Sequence, residues 1–213
     1  KKDRYVAIAA PRGHAKTTAV TQAYTLANVL FRLRSNVLII SDTEAQSKSF
    51  LGDIKMELIE NEIIRQDFLI DEIVKDNETE IIVKFKDGTL FRILARGSEQ
   101  KLRGLKWRGK RPDLIICDDF ENEELVSNDE RRAKFKDWFL GALLPAGGDG
   151  CLVRVVGTIL HLDSMLENLL NNPAWVSKRF AAHNEDFTEV LWPEKFSKGD
   201  LIAIRQLYIH EGR

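Results

Sequence analysis

Ala10-Pro11-Arg12-Gly13-His14-Ala15-Lys16-Thr17-Thr18 decides the reading of this chain. The stretch follows a short apolar run, Tyr5 to Ala10, and opens a segment from Thr17 to Leu33 with Val20, Ala23, Leu26, Ala27, Leu30 and Phe31 at helical spacing. The order is therefore buried strand, loop, helix. The loop fits the phosphate-binding pattern G-x4-G-K-[ST] with alanine at both glycine positions, Ala10 and Ala15. That chemistry needs backbone N–H groups facing the phosphates, a lysine reaching the outer phosphate oxygens and a hydroxyl for Mg²⁺ at a helix N-terminus. Lys16 and Thr17 supply the last two, and Gly13 keeps local backbone freedom. A lysine in the first turn opposes the helix dipole unless an anion sits there, so a bland basic loop is the weaker reading. Pro11, Arg12, Gly13, His14, Ala15, Lys16, Thr17 and Thr18 are the candidate nucleotide contacts. Within that set Arg12 suits an added phosphate contact or a γ-phosphate sensor, whereas His14 taken singly reads as a solvated loop residue.

Working outward, Asn36 to Ile40 is a β-branched run, followed by a polar break at Ser41 to Thr43 and a helical pattern with Phe50, Ile54, Met56, Leu58 and Ile59. Ile81 to Phe85 and Leu90 to Leu94 flank Asp87-Gly88, the signature of a tight hairpin. Leu114 to Cys117 is uniformly apolar, as expected of a strand buried on both faces. Ser127, with Glu130 three positions on, has the spacing of a helix cap. Cys151 to Val156 is another buried strand, Asp163 to Leu170 a short helix and Trp175 to Phe180 a strand. Trp192-Pro193 makes a break, and Leu201 to Tyr208 forms a closing helix. Alternating strands and helices predict an α/β P-loop NTPase domain of the ASCE or RecA-like class. Its mostly parallel sheet has helices on both faces, an inserted hairpin and a small C-terminal subdomain. Residues 1–213 read as one such domain, with a core over 1–180 and a closing segment over 181–213.

Charge and cysteine content narrow the class. Lys plus Arg number 32 against 33 Asp plus Glu, so the net charge of -1 gives no global pull toward nucleic acid or membrane, and DNA affinity must come from a local patch. Cys117 and Cys151 sit in apolar runs without CxxC spacing and read as small buried residues of a reducing compartment. No apolar run approaches the ~18 residues of a membrane span. The expectation is a cytoplasmic protein with no membrane partner.

Leu114-Ile115-Ile116-Cys117-Asp118-Asp119-Phe120-Glu121 places carboxylates at the end of a buried strand, where α/β sheets put their ligand crevice. This is a Walker B pattern. Asp118 would hold Mg²⁺ opposite Thr17, and a carboxylate just beyond it would activate water. Asp119 and Glu121 both qualify, with Glu121 preferred for reach. A solvated helix N-terminus accounts for Glu123 and Glu124 but poorly for Asp118, since a charge against four apolar residues must be paired or bind metal. Lys101, Arg103, Lys106, Arg108, Lys110 and Arg111 form an acid-free basic stretch just before that strand. A solvated loop is the plain reading. The alternatives are DNA backbone contacts or an arginine offered to a neighbouring subunit's ATP, with Arg108 or Arg103 preferred for the latter.

These residues, in their order, resemble phage terminase large subunits. The series is Pro11-Arg12-Gly13 to Lys16-Thr17-Thr18, Ser41-Asp42-Thr43 with Gln46, Leu102-Arg103-Gly104, Arg111-Pro112-Asp113 and Asp118-Asp119-Phe120-Glu121. Val155-Val156-Gly157-Thr158 resembles that family's coupling motif, in which a strand-end threonine links hydrolysis to movement. Leu191-Trp192-Pro193-Glu194 resembles the segment that closes its ATPase half. The departures are Ala10, Ala15 and Asp119. The resemblance implies ATP and Mg²⁺ as ligands and double-stranded viral DNA as the translocated substrate. It also implies a homo-oligomeric ring, a pentamer when assembled, on a portal protein with a small terminase subunit, in the host cytoplasm. Nothing resembles the family's nuclease domain, so no DNA cleavage is expected. Other classes left open are a helicase-like remodeller, which needs a second motor domain, and a nucleotide-binding assembly module without turnover.

Overall fold

The computed structural model describes residues 3–210. Eight strands form a single sheet in the order β3-β4-β5-β2-β6-β7-β1-β8. They are β1 (Tyr5–Ala9), β2 (Asn36–Ser41), β3 (Ile70–Asn77), β4 (Glu80–Phe85), β5 (Leu90–Gly97), β6 (Leu114–Asp118), β7 (Leu152–Gly157) and β8 (Val176–Arg179). From β5 to β8 all neighbours are parallel, whereas β3, β4 and β5 pair antiparallel. The fold class expected from the sequence is the one observed.

Burial follows from the pleat. All six residues of β2 and all five of β6 are buried. Because successive side chains alternate faces, Leu38, Ile40, Ile115 and Cys117 enter one core while Val37, Ile39, Leu114 and Ile116 enter the other. On one face lie α1 (Tyr24–Leu30) and α2 (Glu44–Glu60), preceded and followed by a π-wound segment (Thr17–Ala23) and α3 (Glu62–Asp67). On the other lie α4 (Glu123–Val126), α5 (Asp129–Trp138), a second π-wound segment (Phe139–Leu143), α6 (Leu144–Ala146) and α7 (Met165–Leu170). Each fully buried Leu or Ile contributes roughly 1.5–3 kcal/mol. Both cysteines are free and buried in this framework, and burial raises both thiol pKa values, that of Cys151 to about 12.

Three expectations need correction. The Asp87-Gly88 hairpin forms, with Gly88 at φ +82, but β3 extends it into a three-stranded antiparallel edge. The first helix is π-wound over its first seven residues. The cap of α5 is Asn128, whose side chain accepts from the Arg131 amide, and not Ser127. Residues 181–197 contain one bridge, His183 to Val190, before α8 (Lys198–His210). No helix among the described residues is long and apolar enough to cross a membrane.

Topology positions the site. The loop after β1 and the acids after β6 both lie at the C-terminal ends of parallel strands, with only β7 between them.

Candidate active site at the strand ends

The loop after β1 is tied to β7 by the Ala10 amide, which donates to the Gly157 carbonyl at 3.1 Å. It turns through two left-handed positions, Gly13 at φ +78 and Ala15 at φ +54. The second explains why glycine is usual there: a side chain in this region costs ~1–2 kcal/mol. Lys16 starts the helix and is 9% exposed. Its Nζ donates to the Thr158 hydroxyl at 3.0 Å and to the Pro11 carbonyl at 3.2 Å. Both acceptors are neutral, so among the described residues the buried ammonium has no ion-pair partner.

Asp118 ends β6 fully buried. Its Oδ2 accepts from the Thr21 hydroxyl at 2.6 Å, whereas its Oδ1 is buried with no partner. Burial pushes the carboxyl up to about 6, against hydrogen bonds from Thr21 and Thr17, and the neighbouring Asp119 charge adds to the rise. Asp119 adopts φ +42, donates its amide to the Val156 carbonyl at 3.0 Å and accepts from the Asp42 amide at 3.2 Å. Its Oδ1 accepts from the Thr158 amide at 3.2 Å. A Cβ on Gly157 would approach that same Oδ1 to 3.3 Å, so the glycine lets β7 end against the acid. Thr158 thus touches both motifs, Lys16 through its hydroxyl and Asp119 through its amide. Lys16, Thr17, Asp118, Asp119 and Thr158 form one connected polar cluster.

No family model matches the sequence, and no curated protein matches it either. Solved structures do. The large terminase ATPase domain of Thermus phage P74-26 aligns over 98% of this chain and 84% of its own, with TM-score 0.68 and 14% identity. A point mutant of that domain aligns with TM-score 0.68 and 13% identity, over the same shares. The large terminase of a thermophilic bacteriophage aligns over 91% of this chain and 44% of its own, with TM-score 0.56 and 10% identity. The fold is that of phage large-terminase ATPase domains.

On this terminase-type fold a cleft of about 510 Å³ opens above Asp119 and Thr158, walled by Arg12, Asp42, Gln46 and Glu121. Arg12 leans away from the loop to pair with Glu123 at 3.1 Å, an exposed contact worth little. Glu121 borders the cleft, but its two oxygens accept the Met165 and Leu166 amides at 2.6 and 2.9 Å, capping α7. Burial raises its pKa, and the Leu166 and Met165 amides oppose the rise. Thr18 is exposed on the first turn. His14 is not solvated as its loop position suggested: its ring stacks on Phe196 at 4.7 Å, and Lys195 donates to the Gly13 carbonyl at 2.7 Å.

The two arginines lie elsewhere. Arg108 sits beside Trp107, whose backbone pairs with Lys110, and the Lys110 carbonyl accepts from the Asn36 side chain at the start of β2. That is the opposite end of the sheet from the phosphate loop. Arg103 lines a separate cleft with Lys106, Arg111 and Pro145. Sequence reading passed over Thr21, although its spacing of four from Thr17 puts both hydroxyls on one helix face. It also passed over the contact of Lys195 and Phe196 with the loop, for which no local pattern exists.

Proposed function

We propose that this chain is the ATPase of a viral DNA-packaging motor, hydrolysing Mg²⁺-ATP to drive double-stranded DNA into a procapsid. The observation that carries the reading is the single polar cluster joining Lys16, Asp118, Asp119 and Thr158 at one end of the sheet. The unpaired ammonium of Lys16 suits a polyphosphate, with the loop amides at the helix N-terminus as further donors. Pro11 to Thr18 would line the chain of phosphates. The buried, partnerless Oδ1 of Asp118, beside the Thr17 hydroxyl, fits a magnesium ion or its water shell. When bound, that ion would neutralise phosphate charge during transfer. Asp119 takes the role of general base. Its carboxylate has one oxygen fixed by Thr158 and faces the cleft, whereas both oxygens of Glu121 are occupied by α7. Glu121 becomes a positioning residue for α7.

Arg12, once released from Glu123, can reach toward the outermost phosphate. Thr158 lies where loss of that phosphate would be felt by β7. The distance of Arg108 and Arg103 from their own phosphate loop suits action on a neighbour within a homo-oligomeric ring, with a portal protein and small terminase as further partners. The test is phosphate release measured against protein concentration, for the wild type and Lys16→Ala. Release that rises per subunit with concentration and is lost in the variant supports the motor reading. A flat rate undiminished by Lys16→Ala would sink it, and ATP retained without release would make the chain a binding module.

A further inference from the structure

The segment before β2, the β4–β5 turn and the Trp107–Lys110 turn enclose a cleft of about 380 Å³ at the opposite end of the sheet from the phosphate loop. Four cationic side chains line it, Arg32, Arg34, Arg108 and Lys110. Among the described residues only Arg32 meets a carboxylate, Asp87 at 3.4 Å, and its guanidinium covers the Phe85 ring at 4.3 Å. The acid beside Ser35, Asp113, is already engaged: Oδ2 accepts from the Ser35 amide and hydroxyl at 2.8 and 3.1 Å, and Oδ1 from the Asn36 amide at 3.0 Å. Arg34 is half-buried, and its Nε is buried without an acceptor. An unmatched, desolvated guanidinium N–H is costly, and a small rotation turns its Nε–Nη edge toward an oxyanion in the cleft. We propose that this cleft binds one unpaired nucleotide of a single-stranded nucleic acid, with its phosphate on Arg34 and Lys110 and its base against Trp107.

The aromatic wall separates a nucleotide from a plain anion. Phe85 and Phe91 line the cleft but are buried, whereas Trp107 is half-buried and presents a ring. It is held there by a two-residue turn, in which the Trp107 amide donates to the Lys110 carbonyl at 2.8 Å and the Lys110 amide to the Trp107 carbonyl at 2.9 Å. Arg108 at φ +50 and Gly109 at φ +79 make that turn, and a non-glycine residue in the left-handed region is a strained choice. Directly opposed residues of an antiparallel pair project to the same side, so the turn sets the indole beside the Lys110 ammonium. An aromatic platform next to a cationic track takes a single strand without reading its sequence. A duplex keeps its bases stacked inside and offers such a cleft its phosphates only. The volume lies at the lower end of small-molecule sites, roughly 300–1,000 Å³, which suits one base with its phosphate. The contact uses Arg34, Lys110 and Trp107, so it needs neither the phosphate loop nor Arg108 as a finger.

Fluorescence anisotropy of a labelled oligodeoxythymidylate tests the proposal on the wild type, Arg34→Gln, Trp107→Ala, Lys110→Gln and Lys16→Ala, with an unlabelled duplex of equal length as competitor. Arg34→Gln and Trp107→Ala should each weaken the single strand about tenfold. Lys110→Gln alters an exposed side chain and leaves the fold intact, so its weaker binding and flatter salt dependence keep the test valid even if Arg34→Gln fails to fold. Lys16→Ala should bind like the wild type, which separates this cleft from the phosphate loop. A single strand released by Lys16→Ala, or displaced by the duplex as readily as by itself, would overturn the site. Loss with Arg34→Gln but none with Trp107→Ala would also overturn it, since the cleft would then hold an anion without a base.

Discussion

At the scale of single residues, the two carboxylates after β6 are separated by what already occupies them. Asp119 holds one amide hydrogen bond at 3.2 Å, and Glu121 holds two, at 2.6 and 2.9 Å, from the first turn of α7. Converting a general base to its amide removes proton acceptance while keeping shape, so Asp119→Asn should lower the rate of hydrolysis by ~10²–10⁴ with nucleotide affinity retained. Glu121→Gln puts an NH₂ where an amide N–H now finds an oxygen. Leaving a buried donor unmatched costs ~1–3 kcal/mol, so this variant should melt earlier with a smaller loss of rate. Single-turnover kinetics beside thermal melts separate the two, and the reverse ranking would return the base role to Glu121. Reach along the chain favoured Glu121 in the sequence because α7, more than 40 residues away, gives no local sign that its first amides need an acceptor. That Lys16, Thr17 and Asp118 come together was legible because each falls in a short local pattern, a loop at a helix start or a carboxylate after four apolar residues.

Between elements, β5 and α2 approach closely at Gly97. A Cβ on Gly97 would lie 2.7 Å from the Glu44 backbone nitrogen, and backbone cannot swing aside as a flexible side chain does. Gly97→Ala should therefore cost ~1–3 kcal/mol in denaturant unfolding with an unchanged slope. It should also disturb Asp42 and Gln46, which α2 and its lead-in carry to the cleft wall. A variant as stable as wild type would mean that α2 is free to slide. Across the antiparallel edge, Glu80 of β4 is nearly buried between Arg92, at 2.5 Å, and Lys75. Burial alone would raise its pKa, but Lys75 and Arg92 outweigh that and hold it below 4.5. A depressed carboxylate gives stability that is present above its unfolded pKa and lost as pH falls through the folded one. The melting difference between wild type and Glu80→Gln should thus be constant near neutrality and shrink below about pH 4.3. A difference that grows on acidification would contradict the sign. Strand β3 went unread for a related reason: as an edge strand it exposes most of its residues, so Ile70, Ile73 and Val74 among acids and Lys75 leave no period to detect.

At the scale of the whole molecule, the Trp107–Lys110 part of the basic stretch and the phosphate loop lie at opposite ends of the parallel strands, so no side-chain motion joins Arg108 to its own Lys16. An arginine finger from this segment must serve another copy, and such fingers change hydrolysis rates by ~10³–10⁵. That geometry has a consequence for mixtures. Arg108→Ala protein keeps an intact loop but offers no finger, whereas Lys16→Ala protein keeps the finger but holds no triphosphate. Each alone should be nearly inactive. Mixed at concentrations where the wild type is fully active, subunits of the second kind should complete the sites of the first, and phosphate release should exceed the sum of the separate rates. The gain should peak at intermediate mixing ratios, since a productive pair needs one subunit of each kind side by side. Repeating the mixture with Arg103→Ala in place of Arg108→Ala assigns the finger: the arginine whose loss is rescued by the Lys16→Ala partner acts across the interface. A mixture whose rate equals that sum for both arginines would leave the basic stretch to DNA contact alone, where its loss should instead weaken DNA binding uniformly across sequences and flatten the salt dependence.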